Sequence, residues 1–240
     1  MSTDDAVEAL AQERLAADEA RITGSRRTTL TLGGAWRAFW RHPSPWLISA
    51  FLVGSVVARL VVGGGSRWEL VIPVALVALF PVIEWLIHVG ILHWRPRRVA
   101  GLQVDSLLAR KHREHHADPR DLPLVFIPRP ALVWLLPVDV AVALFALPTV
   151  ASALSLLVSV YAIMFGYEWT HYLIHSDYRP KTRAYKAVWR NHRLHHYKNE
   201  HYWFTVTSAG TADRLFGTYP DPQTVASSKT VKALHATEGS

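Results

Sequence analysis

The sequence of 240 residues contains no cysteine. This absence excludes disulfide bonds, thiolate zinc sites, iron–sulfur clusters and a cysteine nucleophile. Any bound metal must therefore be held by nitrogen and oxygen ligands. Acidic residues are also scarce, since 19 Asp and Glu stand against 26 Lys and Arg, which gives a formal net charge of +7. Histidine, by contrast, occurs 13 times.

Four apolar stretches contain almost none of the charged residues. Each is near or above the roughly 17 residues that a helix needs to cross a bilayer. They run from Trp46 to Val62, from Leu70 to about Trp94, from Leu132 to Leu147 and from Val150 to about His175. The pattern predicts an all-α integral membrane protein with four transmembrane helices in two hairpins.

The basic residues are distributed as membrane topology requires. They lie before the first span, between the second and third, and after the fourth, whereas the short connection 63–69 carries only Arg67. By the positive-inside rule, both termini and the loop 94–131 lie on the cytoplasmic side. The high net charge therefore does not indicate a nucleic-acid partner, which would require a basic stripe on a soluble fold.

Three regions follow from composition. Residues 1–33 form a cytoplasmic N-terminal segment, helical or disordered, without the basic start of a signal peptide. Residues 34–222 form the membrane domain, in which the aromatic stretch 34–42 is either an interfacial helix or an ordinary connecting helix. Residues 223–240 are rich in Ser, Thr and Lys and are predicted to be a disordered tail.

Ten histidines stand in four boxes, two in each half of a weak internal repeat. In both halves a Glu-Trp pair and two histidines end a span, and a basic H-R-x-H-H segment follows. The boxes are His88 and His93; His112, His115 and His116; His171 and His175; and His192, His195 and His196. Ten histidines are too many for one ion, so the pattern predicts two metal ions with one set of five ligands from each half.

Helical spacing predicts how the boxes are arranged. Positions i, i+3 and i+4 share one helix face, so His112, His115 and His116 are expected to converge on one metal. The same holds for the three histidines of the last box. His88 and His93 are five residues apart, so either they bind different metals or the helix loosens near Gly90. The site should lie at the cytoplasmic membrane surface, with a helical cap.

Other interpretations of these residues are weaker or remain open. A single histidine is usually a hydrogen-bonded polar residue, but crowding ten without a metal is unfavourable. A hydrolytic zinc site is disfavoured because H-E-x-x-H is absent. Glu84 and Glu168 are expected to accept an imidazole N–H, to make polar contacts inside the bundle, or to be helix-end charges. His42, His201 and His235 are left outside the ligand set.

The boxes and their order resemble the fatty acid hydroxylase, sterol desaturase and carotenoid hydroxylase superfamily of membrane di-iron oxygenases. The resemblance covers roughly residues 84–219. The runs 195–199 (HHYKN), 204–208 (FTVTS) and 215–219 (LFGTY) are most similar to the fatty acid 2-hydroxylase branch. Where that branch usually reads Trp-Asp, this chain has Ala212-Asp213.

The resemblance implies two iron ions, replaceable by zinc, held by the ten histidines, with O2 as co-substrate. It implies insertion of a hydroxyl group into a C–H bond of a membrane lipid, most simply a fatty acyl chain. A carotenoid or sterol hydroxylase or desaturase is the alternative. Electrons would come from a separate ferredoxin or cytochrome-b-type carrier with its reductase. Arg113 and Arg193 would contact an acidic head group, or solvent and lipid phosphate.

A non-enzymatic metal or haem carrier is the rival from another class. Such a carrier needs polar residues along the middle of several spans, because a path must cross the membrane. Here only Asp139 lies well inside a span, unless the third span begins later than expected.

Overall fold

Helices dominate the computed structural model, which describes residues 3–23 and 30–235. A two-stranded antiparallel hairpin, β1 (Arg97–Val99) and β2 (Leu102–Val104), follows the second span. The helices are α1 (Thr3–Thr23), α2 (Leu32–Phe39), α3 (Pro43–Val62), α4 (Val71–Ile87), α5 (Leu107–Ala117), α6 (Arg129–Ala146), α7 (Val150–His175), α8 (Arg183–Tyr197) and α9 (Thr211–Leu215). Short 3-10 turns precede α4 and α6, at Arg67–Leu70 and Leu122–Val125.

Four helical segments are long and apolar enough to span a membrane, and this confirms the predicted fold class. They are Pro43–Val62, Arg67–Leu92, Leu122–Ala146 and Val150–His175. The apolar side chains on their outer faces are exposed, for example Val61 at 81%, Trp134 at 75% and Phe145 at 91%. Apolar surface of this extent is unsuited to water but suited to lipid. Because α6 already begins at Arg129, Asp139 does lie inside the third span.

Helix α7 is the centre of the bundle and packs against α3, α4 and α6. Its Leu157 and Tyr161 join Ile48 of α3 and Leu132 and Leu136 of α6 in one buried cluster. The Tyr161 hydroxyl donates to the Leu136 carbonyl at 3.0 Å, so the buried phenol has a partner. The two predicted hairpins are therefore joined through α7.

The connection between α3 and α4 is fixed by a charged network. Arg59 pairs with Glu69 at 2.9 Å, and the Ser155 hydroxyl of α7 donates to the same carboxylate at 2.8 Å. Gly65 has φ +106°, and a Cβ there would lie 2.4 Å from the Arg59 guanidinium. A side chain at this position would strain the backbone and would require the ends of the Arg59 and Glu69 side chains to move.

Helix α2 packs against the bundle through one face. Ala35 and Phe39 are fully buried, whereas Trp36 is 40% exposed. The Phe39 ring lies 5.1 Å from the ring of Trp169 and 5.6 Å from that of Phe126, centroid to centroid. The aromatic stretch thus forms a helix whose inner face is docked on the bundle.

The C-terminal segment, residues 221–235, is ordered by packing, so the prediction of a disordered tail from residue 223 onwards is wrong over residues 223–235. Val231 is 2% and Leu234 is 6% exposed, and the Ser228 N–H donates to the Lys198 carbonyl at 2.7 Å. Composition gave no signal, because these contacts join residues far apart in sequence. Residues 236–240 lie outside the described part of the chain.

Helix α1 holds the C-terminal segment and α8 together. The Glu8 carboxylate accepts from Lys198 at 2.8 Å and from the Ser227 hydroxyl at 2.6 Å. Near the other end of α1, Asp18 accepts from the Arg193 Nε at 2.8 Å. The C-terminal half of α8 is therefore contacted by segments from both ends of the sequence.

Candidate metal centre

The structure brings all ten predicted histidines together in two adjacent groups of five. Within each group, the closest ring nitrogens all lie within 4.8 Å of one another. The first histidine group comprises His88, His93, His112, His116 and His195, and the second comprises His115, His171, His175, His192 and His196. Nine of the ten are buried, and His93 is partly buried.

A π turn at His88–Leu92 brings His88 and His93 together at the end of α4. The His93 N–H donates to the His88 carbonyl at 2.9 Å, five residues back. The ring centroids are consequently 5.0 Å apart. Of the two alternatives raised by the spacing, the loosened helix is confirmed, and both side chains belong to one group. Turns of this kind are frequent at functional sites.

The prediction that each half of the chain supplies one set of five is wrong in one respect. His115 lies in the second group, although its neighbours His112 and His116 lie in the first. The reverse exchange moves His195 into the first group, away from His192 and His196. Each group therefore has four histidines from one half and one from the other.

The exchange has a geometric cause. Consecutive residues of a helix point about 100° apart, so His115 and His116 cannot aim at one point, and neither can His195 and His196. In each helix the histidines at i and i+4 point to the same group, and the histidine at i+3, which is His115 or His195, points to the other group. The rings of His116 and His196 lie 4.2 Å apart between the two groups.

The nitrogen spacing fits a metal ion in each group. In the first, Nε2 atoms are 3.1 Å apart for His88 and His112 and 3.2 Å apart for His93 and His195. In the second, His192 Nε2 lies 3.0 Å from that of His175. Nitrogens bound to one ion at about 2.1 Å are about 3.0 Å apart when their bonds are at right angles.

The environment of His115 is a further indication that the second group is suited to a metal ion. Both of its ring nitrogens are buried without a hydrogen-bond partner. A buried polar atom without a partner costs about 1–3 kcal/mol, so a fully isolated imidazole is unfavourable. A cation bound at Nε2 would satisfy one of these atoms.

Backbone carbonyls orient three of the imidazoles. His116 Nδ1 lies 3.2 Å from the Val231 oxygen, His171 Nδ1 lies 2.9 Å from that of Val125, and His195 Nδ1 lies 2.8 Å from that of Tyr202. A carbonyl accepts only, so Nδ1 carries the hydrogen and Nε2 is free to coordinate. Such contacts fix the rings of metal-bound histidines.

The histidines of the two groups that lie outside the spans are held neutral. Burial, reinforced in most cases by neighbouring imidazoles, lowers the pKa of each below the usual 6.5. The affected residues are His93, His112, His115, His116, His192, His195 and His196. For His195, burial lowers the pKa to about 4. Neutral imidazole is the form that binds metal, so the site is prepared for a cation at neutral pH.

Glu84 and Glu168 make polar contacts inside the bundle, and of the three alternatives this one holds. Glu84 accepts the Val206 N–H at 2.6 Å and the Thr207 hydroxyl at 2.6 Å. Glu168 accepts the Ser44 hydroxyl and the Ile127 N–H. Each carboxylate thereby ties a loop to the span that carries a histidine box.

Asp213 is a positioning residue to which the sequence motifs assigned no role. Fully buried, it accepts the N–H groups of Phe204 at 2.8 Å and Thr205 at 3.0 Å. It also accepts the hydroxyls of Thr205 at 2.5 Å and Thr218 at 2.8 Å. Together with Glu84 it fixes the segment beside the first histidine group. The departure at Ala212 leaves this role of Asp213 intact.

The two arginines inside the boxes are engaged with the protein. Arg113 pairs with Asp105 at 2.6 Å, and Arg193 pairs with Asp18 and lies over the Trp189 ring at 4.1 Å. The expectation of a lipid head group at Arg193 is wrong, because this residue is 5% exposed.

The histidines outside the boxes belong to neither group. His42 stacks on Phe126 with ring centroids 4.3 Å apart. His201 has a 67% exposed side chain, 3.6 Å from Glu200. The Nε2 of His235 lies 3.0 Å from the His93 carbonyl, which ties the C-terminal segment to the first group.

In the comparison with protein families, the model of the fatty acid hydroxylase family matches residues 73–218. The matched range contains all ten histidines, Glu84 and Asp213, most of the second span, and the whole of the third and fourth spans. Neither the curated proteins nor the solved structures gave a match.

Proposed function

Because this chain belongs to the fatty acid hydroxylase family, we propose that it is a di-iron hydroxylase that inserts one oxygen atom of O2 into a C–H bond of a membrane lipid. The favoured substrate is a fatty acyl chain. The observation that carries the proposal is the pair of adjacent groups of five histidines within a bundle of four membrane spans.

Iron is favoured by the donor set as well as by the family. Each group offers five imidazole nitrogens, whereas structural zinc sites are almost always four-coordinate and often contain thiolates. Zinc remains the expected substitute when iron is scarce, since imidazole binds both. The first histidine group would hold one ion and the second the other.

The reaction balances with two electrons and two protons for each turnover. One atom of O2 enters the C–H bond as hydroxyl, and the other leaves as water. Bound iron supplies the oxidant that this bond requires, since side-chain acids and bases cannot attack an unactivated carbon. The electrons come from a separate one-electron carrier of the ferredoxin or cytochrome-b type, served by its own reductase.

The protein orients the ligands and excludes water. The Val125, Tyr202 and Val231 carbonyls hold three imidazoles. The nearly inaccessible Phe204 lies beside the first group, and the C-terminal segment contacts His116 through the Val231 carbonyl. A dry site protects the reacting centre from side reactions.

We place the histidine groups on the cytoplasmic side, where the basic segments favour it. Because the chain lacks cysteine, single cysteines can report this directly. A membrane-impermeant maleimide added to intact cells should label Ser66→Cys but not Lys229→Cys, and permeabilised cells should show both. The opposite pattern would contradict this placement.

The decisive experiment follows the origin of the new oxygen atom. Cells expressing the protein with a suitable carrier should accumulate a hydroxylated acyl lipid, and growth under 18O2 should raise the product mass by about two daltons per hydroxyl. Fragmentation then locates the hydroxyl, which the 2-hydroxylase branch would place on the second carbon. Hydroxylated sterols or carotenoids, or a new double bond without 18O, would contradict the acyl hydroxylase proposal.

A further inference from the structure

A row of three aromatic rings leads from the first histidine group to the protein surface. Phe204, at its inner end, is 5% exposed. Its ring centroid lies 5.4 Å from that of His88, 5.3 Å from that of His93 and 5.2 Å from that of His195. All three neighbours belong to one group, so this ring forms a wall of the first metal site.

The row continues outwards through Trp85 of α4. Its ring lies 6.1 Å from that of Phe204, edge to face, and stacks on Phe216 at 4.3 Å with a 28° interplanar angle. Phe216 follows α9 and is 41% exposed. The three rings thus fill the seam between the end of the second span and α9.

The outer end of the row faces lipid. Leu86 and Ile87 on α4 are 54% and 41% exposed, and Leu215 beside Phe216 is 69% exposed. These side chains continue the apolar outer surface of α4, which is itself a candidate span. An acyl chain that lies in the bilayer beside α4 therefore has an apolar approach to Phe216.

The two described surface cavities are unsuited to an acyl chain. One, of about 540 Å³, is lined by residues that include Lys186 and Arg190 between α1 and α8. The other, of about 570 Å³, includes Arg95 and Lys232. Charged walls would have to lose their hydration against hydrocarbon, whereas the aromatic seam would not.

Hydrogen bonds fix the residues that carry the three rings, although the rings themselves are apolar. The Trp85 indole N–H donates to the Thr218 hydroxyl at 2.9 Å, and that hydroxyl donates to Asp213 at 2.8 Å. Asp213 in turn holds the Phe204 backbone. The rings therefore have defined positions relative to the first histidine group, as a specificity-determining wall requires.

We propose that a single acyl chain passes from the bilayer to the first metal site along the row Phe216–Trp85–Phe204. Phe204 contacts the chain nearest the reacting carbon and helps to select that carbon. This proposal rests on the proposed function, because it assumes that the substrate is an acyl lipid.

Photo-crosslinking tests the passage without relying on turnover. The purified full-length protein is irradiated in vesicles of phosphatidylcholine containing a fatty acid that carries a diazirine either near its carboxyl group or at its terminal carbon, in separate samples, and the residues labelled by either probe are mapped by mass spectrometry. We expect label on Phe204 and Trp85 as well as on Phe216. Label confined to outward residues such as Phe145, at 91% exposure, would overturn the proposal.

Product analysis tests the same passage in cells. Phe216→Ala should lower hydroxylation about tenfold with both metals retained, because a misplaced chain reacts slowly. Phe204→Leu should shift the distribution of hydroxylated carbons. The matched control Phe145→Ala, on a lipid-facing surface of α6, should stay within about twofold of the unaltered protein.

Each outcome separates this proposal from the proposed function. Phe216→Ala and Phe204→Leu products identical to those of Phe145→Ala would overturn the passage while leaving the hydroxylase intact. Absence of any hydroxylated lipid from the unaltered protein would contradict the proposed function, and the crosslinking pattern would still test the passage. If Phe216→Ala loses metal, Phe216→Leu, which keeps an apolar side chain, replaces it.

Discussion

His115→Ala is expected to remove about one metal ion per chain and to empty the second group rather than the first. Hydroxylation should fall by more than about 100-fold. Replacing a residue that only hydrogen-bonds to a metal ligand already costs about 10–100-fold, and His115 is itself a proposed ligand. His195→Ala should empty the first group by the same reasoning. Because these two histidines are exchanged between the halves of the chain, the result distinguishes the observed groups from one set of five ligands per half. Elemental analysis of purified protein gives the metal count, and lipid analysis gives the activity.

Single-box variants identify which group each histidine serves. His112→Ala and His195→Ala should give the same Mössbauer signature of the remaining iron, because both remove a ligand of the first group. His115→Ala should resemble His175→Ala. His201→Ala is the control, since this exposed histidine lies in neither group and should retain both metals. Pairing of His115→Ala with His112→Ala instead would contradict the exchange.

Asp213→Ala is expected to be the most destabilising change outside the histidines. Four donors lose their acceptor, namely the N–H groups of Phe204 and Thr205 and the hydroxyls of Thr205 and Thr218. Hydrogen bonds to a charged group contribute about 1.5–3 kcal/mol each and are not additive, so we expect a loss of about 4 kcal/mol or more. The apparent Tm in detergent should fall by about 10 °C.

Two further variants serve as controls for Asp213→Ala. Asp213→Asn keeps an acceptor and a similar shape, so its Tm should lie between those of the two proteins. Glu13→Ala, at an exposed position of α1, should change stability by no more than about 0.5 kcal/mol. An Asp213→Ala protein with an unchanged Tm would show that the 204–218 segment is not held by this carboxylate.

The spans and the histidine boxes could be predicted because their signals are local. Runs of apolar residues set the four helices, and the spacing of His171 and His175 puts both on one face. The five-residue spacing of His88 and His93 limited the answer to two alternatives, of which the π turn is one. In each case the information lies within one or two helical turns.

The division of ligands between the groups could not be predicted in the same way. Spacing shows that His112, His115 and His116 lie near one face, but the direction of each ring depends on the helix opposite. The roles of Asp213 and of the C-terminal segment depend likewise on partners far away in sequence. Composition alone suggested disorder for residues such as Val231, which tertiary contacts bury.

The exchange of His115 and His195 also bears on how the protein is made. His195 lies in α8, which is synthesised after all four spans, so the first group lacks a ligand until α8 has emerged from the ribosome. The other four histidines of the second group, to which His115 belongs, lie on α7 and α8, so this group cannot form until both helices are in place. Neither half of a nascent chain offers a complete set of five histidines. A metal ion that requires all five ligands of a group can therefore bind only after α8 has folded, and a chain truncated before α8 would leave both groups incomplete.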